Sequence, residues 1–178
     1  QVVEAIDVKT RHPQQRVIAL EPGQPRYRLL IVDDKWSNRQ LLVELLSQVS
    51  SPTAGFDLRE AENGQTALEV WNEWEPHLIW MDLRMPVLDG YEATRRIKTT
   101  PKGQNTVIIA LTASPFEDQQ ADALSAGCDD FLRKPVSETD IFETISKHIG
   151  VRYVYEEDSK LAESREHREK LDIEALKS

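Results

Sequence analysis

The sequence predicts an α/β fold built on a parallel sheet, and three observations carry that expectation. Apolar runs without polar alternation recur at Leu29, Leu30, Ile31 and Val32, at Leu78, Ile79, Trp80 and Met81, and from Val107 to Leu111. Such runs suit strands covered on both faces. Segments with apolar residues at helical spacing lie between them. The joints are short and rich in Pro, Gly, Asn and Asp, which punctuate elements rather than continue them. Strands alternating with helices imply a parallel sheet with helices on both faces.

The elements follow in order from residue 26. Strand one holds the run ending at Val32 and stops on Asp33-Asp34. Helix one carries Leu41, Leu42, Leu45, Leu46 and Val49 on one stripe, and Pro52 and Gly55 break it. Phe56 to Ala61 alternates as a weaker second strand. Asn63-Gly64 turns into helix two, with Ala67, Leu68, Trp71 and Trp74 inward and Pro76 at its end. Strand three is the apolar run that ends on Asp82, followed by a turn-rich piece with Pro86, Asp89 and Gly90. Tyr91, Ala93, Thr94 and Ile97 mark helix three. Strand four ends on Thr112. Ser114 as cap, Pro115 at the first position and Glu117 at the third start helix four, which runs to Gly127. Phe131 and Leu132 form a short fifth strand ending at Lys134-Pro135. Ser137 opens helix five, with Ile141, Ile145 and Ile149 inward and Gly150 at its stop. Right-handed crossovers then favour the flavodoxin-like strand order 2-1-3-4-5, a three-layer sandwich.

The expected domain spans residues 26–150. Residues 1–25 read as an approach segment: a candidate strand from Val2 to Val8, a short apolar patch from Val17 to Leu20, and the turn-forming Glu21-Pro22-Gly23-Gln24-Pro25. Residues 151–178 read as an extension. Val151 to Tyr155 alternates as an added edge strand, and a charged stretch follows with Leu161, Leu171, Ile173 and Leu176, a solvated helix or a disordered linker.

Bulk properties exclude several classes. Of 178 residues, 39% are hydrophobic and 30% charged, ordinary for a globular protein. A net charge of -9 argues against binding a nucleic-acid backbone. No apolar run approaches a membrane span, and no basic-then-apolar leader opens the chain. A single cysteine, Cys128, excludes an internal disulfide framework and fits a reducing, cytoplasmic compartment. It reads as a small buried apolar residue. His12, His77 and His148 are scattered, and His167 sits in a charged run; none suggests a metal site.

The chemistry lies at the strand ends. Asp82 alone reads equally as a turn cap or as a ligand-binding acid, since open α/β sheets bind ligands at the carboxyl ends of their strands. In a parallel sheet, however, Asp33, Asp34, Asp82, Thr112 and Lys134 all reach one edge. Three carboxylates that close repel unless a cation joins them. Mg2+ suits such an all-oxygen site together with waters and a phosphate oxygen. Lys134 supplies a compact positive charge and Thr112 a hydroxyl donor. The set fits one reaction, attack of a carboxylate on phosphorus, with Asp82 as the nucleophile and Asp34, and Asp33 through water, holding the metal.

Those residues carry a resemblance. Asp33-Asp34, the stretch from Met81 to Gly90, Ala110-Leu111-Thr112-Ala113 and Phe131-Leu132-Arg133-Lys134-Pro135 resemble the receiver domain of two-component response regulators. The resemblance implies that Asp82 is the phosphoacceptor and that Asp34, Asp82 and the main-chain carbonyl of Arg84 bind Mg2+. It implies a switch pair of Thr112 and Phe131, a Lys134 contact to the phosphoryl group and a cis bond before Pro135. Arg84 and Ser114 occupy positions that tune dephosphorylation in that family. The flanks, Arg16 to Pro25 and His148 to Glu157, resemble the surroundings of a receiver within hybrid sensor histidine kinases; Val2 to Val8 would then close an upstream ATP-binding domain.

The implied partner is a histidine kinase or its phosphohistidine domain, in cis or in trans, and a homodimer is compatible with the reading. Nucleic acid and direct membrane contact are not expected, nor is any enzyme activity beyond self-phosphorylation and self-dephosphorylation. Two other classes fit the sequence less well. A phosphatase of the haloacid dehalogenase type places its nucleophile after strand one with a second acid two residues on, and Lys35 stands there instead. A receiver-shaped interaction module working without phosphate would not need the full acidic set.

Overall fold

In the computed structural model, which describes residues 16–113, 117–156, 170–171 and 173–176, a five-stranded parallel sheet lies between two layers of helices. The elements run β1 (Val17–Leu20), β2 (Tyr27–Val32), α1 (Trp36–Gln48), β3 (Phe56–Ala61), α2 (Gly64–Trp74), β4 (Leu78–Asp82), α3 (Gly90–Lys98), a 3-10 turn (Lys102–Asn105), β5 (Val107–Thr112), α4 (Glu117–Ala126), β6 (Asp130–Arg133), α5 (Glu138–Ile149) and β7 (Tyr153–Tyr155). The sheet order is β3-β2-β4-β5-β6. These are the five strands read from the sequence, in the expected 2-1-3-4-5 arrangement and the flavodoxin-like fold. The candidate strand from Val2 to Val8, His12, Ser114, Pro115, Leu161 and His167 lie outside the described residues.

Strand alternation builds two cores. On β4, Leu78 and Trp80 face one layer, where α1 and α5 pack through Leu42, Leu46, Ile141 and Ile145. Ile79 and Met81 face the other, against Ala67 and Trp71 of α2 and Ala93 and Ile97 of α3. All five residues of β4 are buried, Leu78 through Met81 completely. Removing each large side chain of that run from water stabilises the fold by roughly 2 kcal/mol. The central strand therefore fixes where its terminal residue, Asp82, must lie.

Caps set the helix starts. Asn63 accepts from the Thr66 N–H at 2.9 Å, Asp89 from the Glu92 N–H at 2.9 Å, and Ser137 from the Asp140 N–H at 3.1 Å. At Gly90 a Cβ would stand 2.3 Å from the Asp82 carbonyl oxygen, so glycine lets α3 begin directly against the end of β4.

Two features depart from the sequence expectation. Leu41, placed on the buried stripe of helix one, is 69% exposed, whereas Leu42, Leu46 and Val49 are buried. Leu41 sits at the margin of that stripe, where α1 overhangs the carboxyl edge of the sheet. The second departure concerns the flanks. β7 does not extend the main sheet; it pairs antiparallel with β1, Leu20 opposite Tyr153 and Val17 opposite Tyr155. Leu20, Val151 and Tyr153 are buried in the α1–α5 core. The Tyr153 hydroxyl donates to the Phe142 carbonyl at 2.9 Å. Gln24 completes a clasp: its Nε2 donates to the Glu21 and Arg152 carbonyls, and its Oε1 accepts from the Arg152 N–H, each at 2.8 Å. The edges of the main sheet are thus left to β3 and β6. Among the described residues no helix is long and apolar enough to cross a membrane.

Candidate functional site

The carboxyl ends of β2, β4, β5 and β6 share one edge, and the polar residues that end them meet there. Asp33 and Asp82 are buried, Asp34 is exposed, and one carboxylate oxygen from each lies within 4.8 Å of the others. Lys134 reaches in from the loop after β6. Its Nζ stands 3.0 Å from Asp33 Oδ2 and 3.5 Å from Asp82 Oδ1. The Lys134 N–H donates to the Thr112 carbonyl at 2.7 Å, which fastens this loop to the end of β5. The bond between Lys134 and Pro135 is cis.

The electrostatics of the pocket are unbalanced. Burial pushes the Asp82 carboxyl up to about 6, and Asp33 and Asp34 push the same way. Lys134 and a backbone hydrogen bond from Arg84 pull against them without prevailing. A buried acid beside two more acids gains from an added cation. The donors present, carboxylates only, are of the hard kind that Mg2+ takes. Thr112 is buried, and its hydroxyl has no hydrogen-bond partner among the described residues. Among the described residues only one other buried side-chain polar atom is so placed, the indole Nε1 of Trp80, two residues before Asp82 on the same face of β4. A buried hydroxyl left unmatched is costly, so its persistence beside the acids fits a group kept for something that binds.

Asp33, Asp34, Asp82, Thr112 and Lys134 therefore meet at this edge, with Arg84 and Phe131 close by in sequence and pairing; Ser114 lies outside the described residues. Phe131, opposite Ala110 in the β5–β6 pairing, is partly buried against the α2–α4 layer and stands two residue pairs back from Thr112. Arg84 follows Asp82 by two residues, its side chain exposed.

Sequence reasoning missed three contributors. Asn38, in the first turn of α1, donates to Asp33 Oδ2 at 3.2 Å. Arg39 donates to the Asp33 carbonyl at 2.7 Å and pairs with Glu60 at 3.0 Å. Val87, 84% exposed in the loop between β4 and α3, has φ +73°, a conformation a β-branched residue rarely adopts. Only the placement of Asn38 and Arg39 one helical turn beyond the strand end hinted at the first two. A cavity of about 410 Å³ opens beside Asp33 and Lys134, walled by Asn38, Leu41, Ala113, Pro135 and Val136.

Comparisons with known proteins agree with this geometry. The family model described as the response regulator receiver domain matches residues 29–146. The chemotaxis protein CheY of Halobacterium salinarum is 37% identical over 120 residues, covering 67% of this chain and 93% of that protein. Hybrid signal transduction histidine kinase B of Dictyostelium discoideum is 35% identical over 149 residues, 76% of this chain but only 7% of that protein. Among solved structures, the receiver domain of Ssk1 from Saccharomyces cerevisiae, crystallised with the histidine phosphotransfer protein Ypd1, superposes with TM-score 0.61 at 34% identity, covering 70% of this chain and 89% of that one. The receiver domain of a Pseudomonas aeruginosa sensor histidine kinase, with magnesium in its active-site cleft, gives TM-score 0.64 at 30% identity, covering 71% and 99%.

Proposed function

The chain belongs to the response regulator receiver family of two-component signalling, and on that premise we propose that Asp82 accepts a phosphoryl group from a phosphohistidine. The observation that carries the proposal is the meeting of three carboxylates, Lys134 and an unmatched Thr112 hydroxyl at one sheet edge. An Asp82 oxygen attacks phosphorus and forms the new P–O bond. The P–N bond of the donor breaks, and its electron pair returns to the imidazole nitrogen. Asp34, Asp82 and the Arg84 carbonyl, with Asp33 through water, would hold Mg2+, which would supply positive charge to the phosphoryl oxygens. Lys134 turns from Asp33 to a phosphoryl oxygen, and the Thr112 hydroxyl donates to another. Thr112 moving toward the phosphoryl group lets Phe131 turn inward, which biases the face made by α4, β6 and α5. The chain then has self-phosphorylation and self-dephosphorylation chemistry and no separate substrate.

The donor is a histidine kinase or its phosphohistidine domain, in cis or in trans. The solved complex of the Ssk1 receiver with Ypd1 supports that class of partner. The match to a hybrid kinase supports a parent of that kind. The test is labelling by acetyl phosphate with Mg2+. Wild type takes up one phosphoryl group, and Asp82→Asn takes up none; undiminished labelling of that variant refutes the assignment of the nucleophile.

A further inference from the structure

Around Asp33 lies a smaller assembly with its own logic. Asp33 is 2% exposed, so water is a poor source of hydrogen bonds to it. Its Oδ1 accepts from the Lys35 N–H at 2.9 Å. Its Oδ2 is shared by Lys134 Nζ at 3.0 Å and Asn38 Nδ2 at 3.2 Å. A carboxylate only accepts, so the amide must present its nitrogen. Lys134 also faces Asp82 at 3.5 Å and thus serves two acids at once. Asn38 has no such second claim among the described contacts. It is held in register by Arg39, the next residue, which ties the first turn of α1 to the Asp33 carbonyl and to Glu60 of β3.

We infer that Asn38 is a positioning residue of the phosphoacceptor site, its amide holding the Asp33 carboxylate in place when Lys134 leaves it for the phosphoryl group. The inference rests on the transfer reaction proposed above. When Lys134 turns away, Asp33 Oδ2 loses its charged donor. A buried carboxylate stripped of donors costs free energy and reorients to recover them. With Asn38 present, each oxygen of Asp33 keeps one donor, Oδ1 from the main chain and Oδ2 from the amide. The departure of Lys134 then costs less, and Asp33 stays aimed at the cation position. Leucine at residue 38 fills similar space on a helix without a donor. Asp33 would then hold Lys134 back and present its oxygens poorly.

The experiment uses the full chain with the Asn38→Leu substitution. Wild type and Asp82→Asn, labelled with acetyl phosphate and Mg2+, test the underlying reaction separately. For Asn38→Leu the maximal labelling rate falls about tenfold, the size of one hydrogen bond to a charged group. The half-saturating acetyl phosphate concentration stays within about twofold, because Asp82, Thr112 and Lys134, the groups proposed to meet the phosphoryl donor, are unchanged. Mg2+ affinity, read from tryptophan fluorescence, weakens several-fold, and the thermal midpoint stays close to wild type. A maximal rate and Mg2+ affinity both equal to wild type overturn the inference, as does a change confined to half-saturation or to the thermal midpoint. If the leucine variant does not fold, Asn38→Ser, whose hydroxyl is too short to reach, is held to the same outcomes. If wild type itself takes no label, the transfer reading fails, and the Mg2+ affinity of the variant alone decides the role of Asn38.

Discussion

The two ends of one sheet obey different rules. At the amino ends of the strands, polar groups are matched. The indole of Trp71 donates to the buried Thr106 hydroxyl at 3.0 Å, and Lys98 pairs with Asp129 at 2.9 Å. His77 Nδ1 accepts from the Arg28 N–H at 2.9 Å, and burial holds its pKa below the ordinary range, which keeps that acceptor neutral. Gln24 closes three bonds onto the Glu21 and Arg152 main chain. At the carboxyl ends, Asp82 is pushed up to about 6, the Thr112 hydroxyl has no partner among the described residues, and Val87 stands in the left-handed region. The difference teaches where stability has been given up. One edge is satisfied by its own hydrogen bonds and ion pairs; the other holds buried charge and an unmatched hydroxyl that, on the function proposed above, a bound cation and phosphoryl group would relieve.

Substitutions at the two edges should separate these roles. The largest effect is expected at the amino edge. Gln24→Leu forfeits three hydrogen bonds and should destabilise the chain by about 3 kcal/mol in urea unfolding, with acetyl phosphate labelling intact. Trp71→Phe removes the donor to Thr106 and part of the Lys102 contact over its ring. It should cost about 2 kcal/mol, again without loss of labelling. If either variant impairs labelling at a temperature where it remains folded, the contrast fails.

The carboxyl edge should respond in the opposite direction. Without Mg2+ at neutral pH, Asp82→Asn should stabilise the chain by about 1 kcal/mol, allowing for partial solvent screening, while abolishing labelling. The sign follows from the raised pKa. Between the ordinary carboxyl value of 3.8 and about 6, the folded state binds the Asp82 proton more tightly than the unfolded state does. Stability from this group is therefore present below that window and lost as pH rises through it. The advantage of asparagine should shrink toward pH 4, and added Mg2+ should stabilise wild type more than the variant. Thermal midpoints across pH, with and without Mg2+, check both statements. The smallest effect is expected at Val87. Val87→Asn relieves a left-handed valine and should add somewhat under about 1 kcal/mol, because asparagine tolerates that conformation. A destabilised Val87→Asn would show that the loop is not strained.

What the sequence disclosed divides along the same line. Asp33, Asp34, Asp82 and Thr112 were legible because each ends a run of buried residues, and Lys134 because it ends the short strand beside them; a parallel sheet brings such ends together. Asn38 was not, because an asparagine in the first turn of a helix has many ordinary uses. Leu41 was misjudged because a five-residue apolar stripe is wider than the surface that covers it. The pairing of β1 with β7 was hidden for another reason. Val17 to Leu20 is too short to show a period, and its partner lies more than a hundred residues away in sequence. Local patterns carry no record of contacts that distant.

That pairing has a mechanical side. The Glu156 N–H donates to the Arg16 carbonyl at 2.9 Å, so the two ends of the folded unit stand side by side. Tension applied between them would load the β1–β7 bonds one after another, like a zipper, rather than shearing the central strands. A pull from covalent neighbours would therefore peel the fastening open first and leave the acidic edge of the main sheet standing.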